Sequence, residues 1–140
     1  MKYFKHILYL FIICTLSSCE KEKEEKIKPN IIIENPSNDY YLIGESIPIS
    51  ISVNHEENID NITYYEILNC SDDSFDSFNL LEWKNVYESN WSYSKIIETN
   101  KMPENIVCTC RIQIEASGLN NTKSKIDLNF EISEEQNSTN

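Results

Sequence analysis

Polar and apolar residues alternate with a period of two through most of this chain. In "SIPISISV", residues 46–53, Ile47, Ile49, Ile51 and Val53 fall on one side and Pro48, Ser50 and Ser52 on the other. Successive side chains of a strand point to opposite faces, so this pattern predicts a strand buried on one face. Pro48 cannot donate a ladder hydrogen bond, which predicts an edge position or a strand end. "IVCTCRIQIEASG", residues 106–118, repeats the pattern, with Ile106, Cys108, Cys110, Ile112 and Ile114 on one face. "SKIDLNFEIS", residues 124–133, does so again with Ile126, Leu128, Phe130 and Ile132. Weaker extended patterns are "NIIIENP" at 30–36, "ITYYEILNC" at 62–70 and "WSYSKIIE" at 91–98. Residues 78–88, "FNLLEWKNVYE", fit neither a helical nor a strand period and predict a short helix or a strand plus loop. Turn signals separate these runs: Asn35-Pro36, Gly44, "NHEENIDN", "SDDSFDSFN", "MPEN" and "GLNN".

Composition strengthens the strand reading. Ala and Arg occur once each, at Ala116 and Arg111, while Ile and aromatic residues are frequent. Poor helix formers and good strand formers together point to an all-β domain. About seven strands at near-regular spacing predict an antiparallel two-sheet β-sandwich over residues 30–133. The layout resembles immunoglobulin-like and cadherin-like modules, through Pro36, Gly44 with its following strand, and "ASGLNN" before "LNFEI". An Ig-like sandwich is the fold this implies. The Cys–Trp–Cys pattern that spans the two sheets of antibody domains is missing, because "ISISV" carries no cysteine.

The first thirty residues follow other rules. Lys2 and Lys5 precede an apolar run at residues 7–16, "ILYLFIICTL". As a helix ten residues rise about 15 Å, against a hydrocarbon core of roughly 30 Å, so the run is too short to span a bilayer. Residues 1–18 therefore read as an export signal. "LSSC", ending at Cys19, resembles the lipobox of bacterial lipoproteins. That resemblance implies a diacylglyceryl group on the Cys19 sulfur, cleavage before it, and acylation of the new amino terminus. Cys14 leaves with the signal. Each buried CH₂ contributes roughly 0.8 kcal/mol, so two or three long chains amount to roughly 20 kcal/mol or more and anchor the protein permanently. Residues 19–29 then form a charged tether. Within it Lys23, Glu24 and Glu25 are similar to the Lys-acidic-acidic signal of Bacteroidota-type lipoproteins, which implies delivery to the outer face of the outer membrane. Residues 134–140 read as a disordered polar tail.

Charge narrows the partners. The net charge is −11 over 140 residues, and losing Lys2 and Lys5 makes the mature chain more acidic. Such a surface repels phosphate backbones, so nucleic acid is not an expected ligand. It also repels anionic headgroups, so membrane contact is expected through the covalent anchor.

Candidate chemistry is sparse. Cys70, Cys108 and Cys110 remain in the exported domain, where an oxidising compartment favours a disulfide. Cys108 and Cys110 sit two residues apart on one strand, roughly 6.6 Å between Cα atoms, at the long limit for a bridge. Cys70 is the better partner for either, closing a loop of about 40 residues worth roughly 4 kcal/mol. Three buried thiols are the alternative. Asp72, Asp73 and Asp76 offer oxygens that suit Ca²⁺, without the spacing or distal Glu of an EF-hand, and a solvated acidic loop is the simpler reading. His55 sits in a polar turn and reads as solvated. Trp83, Tyr87, Trp91 and Tyr93 crowd one stretch, as a platform for protein or glycan or, more simply, as core. Five Asn-x-Ser/Thr sequons (Asn61, Asn69, Asn90, Asn120 and Asn137) read as coincidence.

No nucleophile, base or phosphate-loop motif is present, and neither an enzyme nor a cofactor is expected. The expectation is a surface-exposed, lipid-anchored binding or adhesion module. A periplasmic inhibitor or immunity lipoprotein against a basic hydrolase, and a structural envelope component, are the alternatives.

Overall fold

The computed structural model describes residues 26–134. The signal segment, Cys19, Lys23, Glu24, Glu25 and residues 135–140 lie outside that range. The described chain runs β1 (Asn30–Asn35), β2 (Tyr40–Leu42), β3 (Ser46–Asn54), β4 (Ile59–Cys70), β5 (Ser77–Lys84), β6 (Asn90–Glu98), β7 (Cys108–Gly118) and β8 (Lys123–Ser133). One 3₁₀ turn, Asp73–Phe75, precedes β5.

The strands form two sheets, β1-β3-β6 and β2-β8-β7-β4-β5. This is the expected all-β sandwich with eight strands. β1, β3 and β6 stand as A, B and E do in an immunoglobulin-like fold, and β4, β7 and β8 as C, F and G do. β5 extends the second sheet beyond β4. One pairing departs from the antiparallel rule: β2 runs parallel to β8, with Tyr41 opposite Ile132. The chain reaches it by leaving the first sheet after β1, through the cis Asn35-Pro36 bond.

The core forms where the two inner faces meet. β3 supplies Ile47, Ile49, Ile51 and Val53, all essentially without exposure, and β7 supplies Cys108, Cys110, Ile112, Ile114 and Ala116. Ile62, Tyr64, Phe130 and Ile132 complete it. Each fully buried aliphatic side chain contributes about 1.5–3 kcal/mol relative to exposure, so this alternation is the main driver of the fold.

Residues 78–88 take the second of the two expected forms, a strand plus loop: β5 ends at Lys84 and a loop follows. One expectation changes in detail. Pro48 is not on an edge strand, because β3 lies between β1 and β6. It sits where β1 has already left, since the β1 register ends at Ser50, and only β6 flanks it there. Turn chemistry explains the abundance of asparagine. With two glycines in the chain, Asn58, Asn85, Asn105 and Asn121 take four of the six positive-φ positions among the described residues, beside Gly44 and Tyr87; Asn tolerates such positions better than most residues.

The registers place the connections at two poles. The entry pole holds residues 26–29 and the β3–β4, β5–β6 and β7–β8 connections. The opposite pole holds residues 36–39, 43–45, 71–76 and 99–107.

Candidate functional site

At the entry pole the incoming chain is held by hydrogen bonds. The Ile27 carbonyl oxygen lies 3.0 Å from His55 Nε2, 3.0 Å from Asn120 Nδ2 and 2.9 Å from Thr122 Oγ1. Lys26 Nζ donates to the Asn120 carbonyl at 3.0 Å. The Glu57 N–H donates to His55 Nδ1 at 3.0 Å, so the neutral tautomer with its proton on Nε2 satisfies both ring nitrogens. His55 is therefore buried, at 4% exposure, and not solvated as its polar neighbours imply. Gly118 makes room for the ring. A Cβ there would lie 2.6 Å from His55 Nε2 and 2.8 Å from Cε1.

An ion pair bridges the sheets. From Ile62 onward even-numbered residues of β4 point inward, which puts Glu66 among Tyr64, Leu68 and the β6 side chains. Lys95 of β6 donates to both Glu66 oxygens, at 2.9 and 2.8 Å, and the Tyr64 hydroxyl donates to one of them. Burial, then the bond to Glu66 and its charge, push the Tyr64 hydroxyl far above its ordinary range. Cys110 belongs to the same neighbourhood. Burial first, and Glu66 second, push its thiol up to about 12, so it is a neutral, weakly nucleophilic group.

Cys70 and Cys108 face each other directly in the β4–β7 register, 4.0 Å between Cα atoms, and form a disulfide. It lies within one sheet, joining neighbouring strands, so the sheets are held together by core contacts and by the Glu66–Lys95 pair. The sequence leaves both pairings of Cys70 open; β-sheet register selects Cys108 and leaves Cys110 as a buried thiol.

The acidic loop at the opposite pole serves its own turn. Asp72 accepts from the Ser74 N–H at 3.0 Å and the Ser74 hydroxyl at 2.7 Å, which hold its carboxyl below the usual range. Asp76 accepts from the Cys70 N–H at 2.6 Å. Among the described residues no three metal-ligating side chains converge on one point.

The four aromatic candidates divide. Trp83 and Trp91 meet edge-to-face with centroids 4.8 Å apart, and Trp83 lies 5.3 Å from Tyr93. These three close the sandwich between β5 and β6. Tyr87 stands apart on the β5–β6 loop, 57% exposed.

Exposed apolar residues that sequence reasoning missed stand singly at Ile32, Leu42 and Ile96, and two more share one face of β5. Phe78 is 63% exposed and Leu80 43%. The register sets Phe78 beside Ile67 and Leu80 beside Tyr65 on the outer face of β4. The missed signal is the alternation Phe78, Leu80, Glu82, Lys84 within a run whose other face, Leu81 and Trp83, is half-buried. Among the described residues, shallow grooves include one of about 420 Å³ beside Asn61, Lys123 and Lys125 and one of about 360 Å³ beside His55.

Comparison with known proteins adds little. No known family matches the sequence, and no curated protein does. Among solved structures, the sporulation control protein Spo0M from Bacillus subtilis aligns with 10% identity and a TM-score of 0.38. The alignment covers 76% of this chain and about half, 49%, of that one. No described helix is long and apolar enough to cross a membrane.

Proposed function

We propose that this protein is a lipid-anchored cell-envelope lipoprotein, displayed at the outer-membrane surface, that acts by binding and not by turnover. The observation that carries the reading is the seam at Cys19, where a short apolar signal ends in "LSSC" and a run of charged residues begins. Two structural features support it. A disulfide suits a domain that folds outside the cytoplasm. The chain enters at one pole, so a lipid on the tether directs the opposite pole, with its four connections, away from the bilayer. The groups with chemical potential are engaged internally: both nitrogens of His55, the Glu66 carboxylate and the buried Cys110 thiol.

Intact-mass measurement of the exported protein, with and without reduction, tests the anchor. The expected product begins at Cys19, carries acyl mass, and gains two hydrogens on reduction. An unmodified chain retaining residues 1–18 overturns the reading. So does a Cys19→Ser protein that partitions with membranes as the parent does. Protease treatment of intact cells should remove the domain if it is surface-exposed.

The inhibitor reading draws support from one observation. The loops of the opposite pole carry Asp39, Glu45, Asp72, Asp73, Asp76 and Glu104 against Lys101. Such a field steers a basic partner. A domain spared by protease on intact cells, with a single basic enzyme recovered by salt elution, would favour it.

A further inference from the structure

Among the described residues β1, β6, β2 and β5 end the two sheets, and the first three are blunted; β8, which β2 flanks only at Glu131–Ser133, carries Lys123 and Lys125 along its uncovered part. β1 carries a register shift between Ile33 and Asn35 and then the cis proline. β2 is three residues long. β6 carries the inward-pointing charge of Lys95. Bulges, short strands and inward charges are the devices by which proteins keep edge strands from pairing. β5 has none of them over residues 77–81. Its pairing with β4 is unbroken, it contains no proline, and its Lys84 is paired with Glu82 at the far end, 3.1 Å away. Beside this open backbone lies the exposed apolar strip of Phe78 and Leu80, backed by Tyr65 and Ile67.

We propose that the free edge of β5 is a docking strand for an extended segment of a basic protein partner, which adds to the five-stranded sheet as a further strand. The segment alternates apolar side chains, which cover Phe78 and Leu80, with lysine or arginine. Charge selects that chemistry. Asp72, Asp73 and Asp76 lead into the start of β5, while Glu82 on its outer face is paired with Lys84. Arg111, farther across the same face, is already held by Asp127 at 2.8 Å. A second copy of this chain is a poorer occupant. The antiparallel register that sets Phe78 against Leu80 across a two-fold also sets Asp76 against Glu82, and both copies are strongly acidic. Main-chain hydrogen bonds supply affinity in strand addition, and alternate side chains supply specificity. The inference deepens the binding-module reading and rests on that part of it, independently of the lipid anchor.

The test uses the full chain as isolated from cells, in detergent micelles, and a synthetic nine-residue peptide alternating valine with lysine. Two further peptides carry N-methyl groups at alternate positions, one on each edge. Strand addition predicts that one methylated peptide binds like the parent and the other at least tenfold more weakly. It also predicts peptide-induced amide shifts concentrated in residues 77–81. The Phe78→Lys/Leu80→Lys double variant should lose at least tenfold in affinity, and Ile96→Lys on the other sheet should lose none. Equal weakening by both methylated peptides, shifts confined to the acidic loops, or no binding at millimolar peptide overturns the proposal. So does a dimer in sedimentation that the double variant abolishes. Because the peptide assay does not read acylation, its failure beside a lipidated intact mass removes the docking strand alone.

Discussion

Replacing Lys95 by methionine keeps the length of the side chain and removes the partner of Glu66. The Glu66 side chain is 12% exposed and that of Lys95 23%, so the carboxylate would be left largely out of water. Its remaining donor would be the Tyr64 hydroxyl. Breaking a buried pair from one side costs about 3–5 kcal/mol. Because the pair is only partly shielded, with the Lys95 side chain 23% exposed, the expected cost lies below that range, at about 2–3 kcal/mol. Glu66→Gln keeps an oxygen to accept from Tyr64, which is fully buried and would otherwise lose its partner. It leaves Lys95 charged but partly wet, at about 1–2 kcal/mol. The double variant has neither an unpaired charge nor an unmet hydroxyl, so its loss should fall short of the sum by at least about 1 kcal/mol. Urea unfolding followed by the fluorescence of Trp83 and Trp91, which pack between the sheets, reads all four proteins. Half-molar salt should leave the coupling nearly unchanged, because a shielded pair is screened little. Additive effects, with each single variant within about 0.5 kcal/mol of the parent, would show that the pair behaves as a surface salt bridge and that the reasoning is wrong.

Three further outcomes follow from the same geometry. Removing the Cys70–Cys108 bridge, which closes a separation of 38 residues, should cost about 4 kcal/mol; urea midpoints with and without reductant measure it. Gly118→Ala should destabilise by about 1–3 kcal/mol through the clash with His55 and should speed exchange of the Glu57 amide, which donates to His55 Nδ1. Adding His55→Ala should recover part of the stability while exchange stays fast, and an unchanged exchange rate in Gly118→Ala would refute the contact. Cys110 should resist iodoacetamide at pH 8 until the protein unfolds. Its thiol and the Tyr64 hydroxyl are both raised in the folded state, so their neutral forms are favoured there. The stability this adds is complete below about pH 8.5, the ordinary thiol value, and is lost progressively as pH rises toward 12. Stability that stays flat from pH 8.5 to 11 would contradict it.

Part of this structure is legible without coordinates, because strand alternation is a local property. Ile47, Ile49, Ile51 and Val53 lie two residues apart, and burying them together requires an extended chain with one face inward. The same holds for β7 and β8, so the all-β class and the inner face of these strands follow from spacing alone. What local spacing does not contain is which strands become neighbours, and in what register. Register puts Cys108 opposite Cys70 and leaves Cys110 free. Stacking of the sheets makes Glu66, a charged residue between Tyr65 and Ile67, the inward partner of Lys95. Distant turns close over His55 and make a buried clasp of a residue whose neighbours are all polar. β5 becomes an open edge only because no further strand follows it in the sheet. Each of these is a contact between residues far apart in the chain, decided by the joint packing of two sheets, and no window of sequence holds both partners.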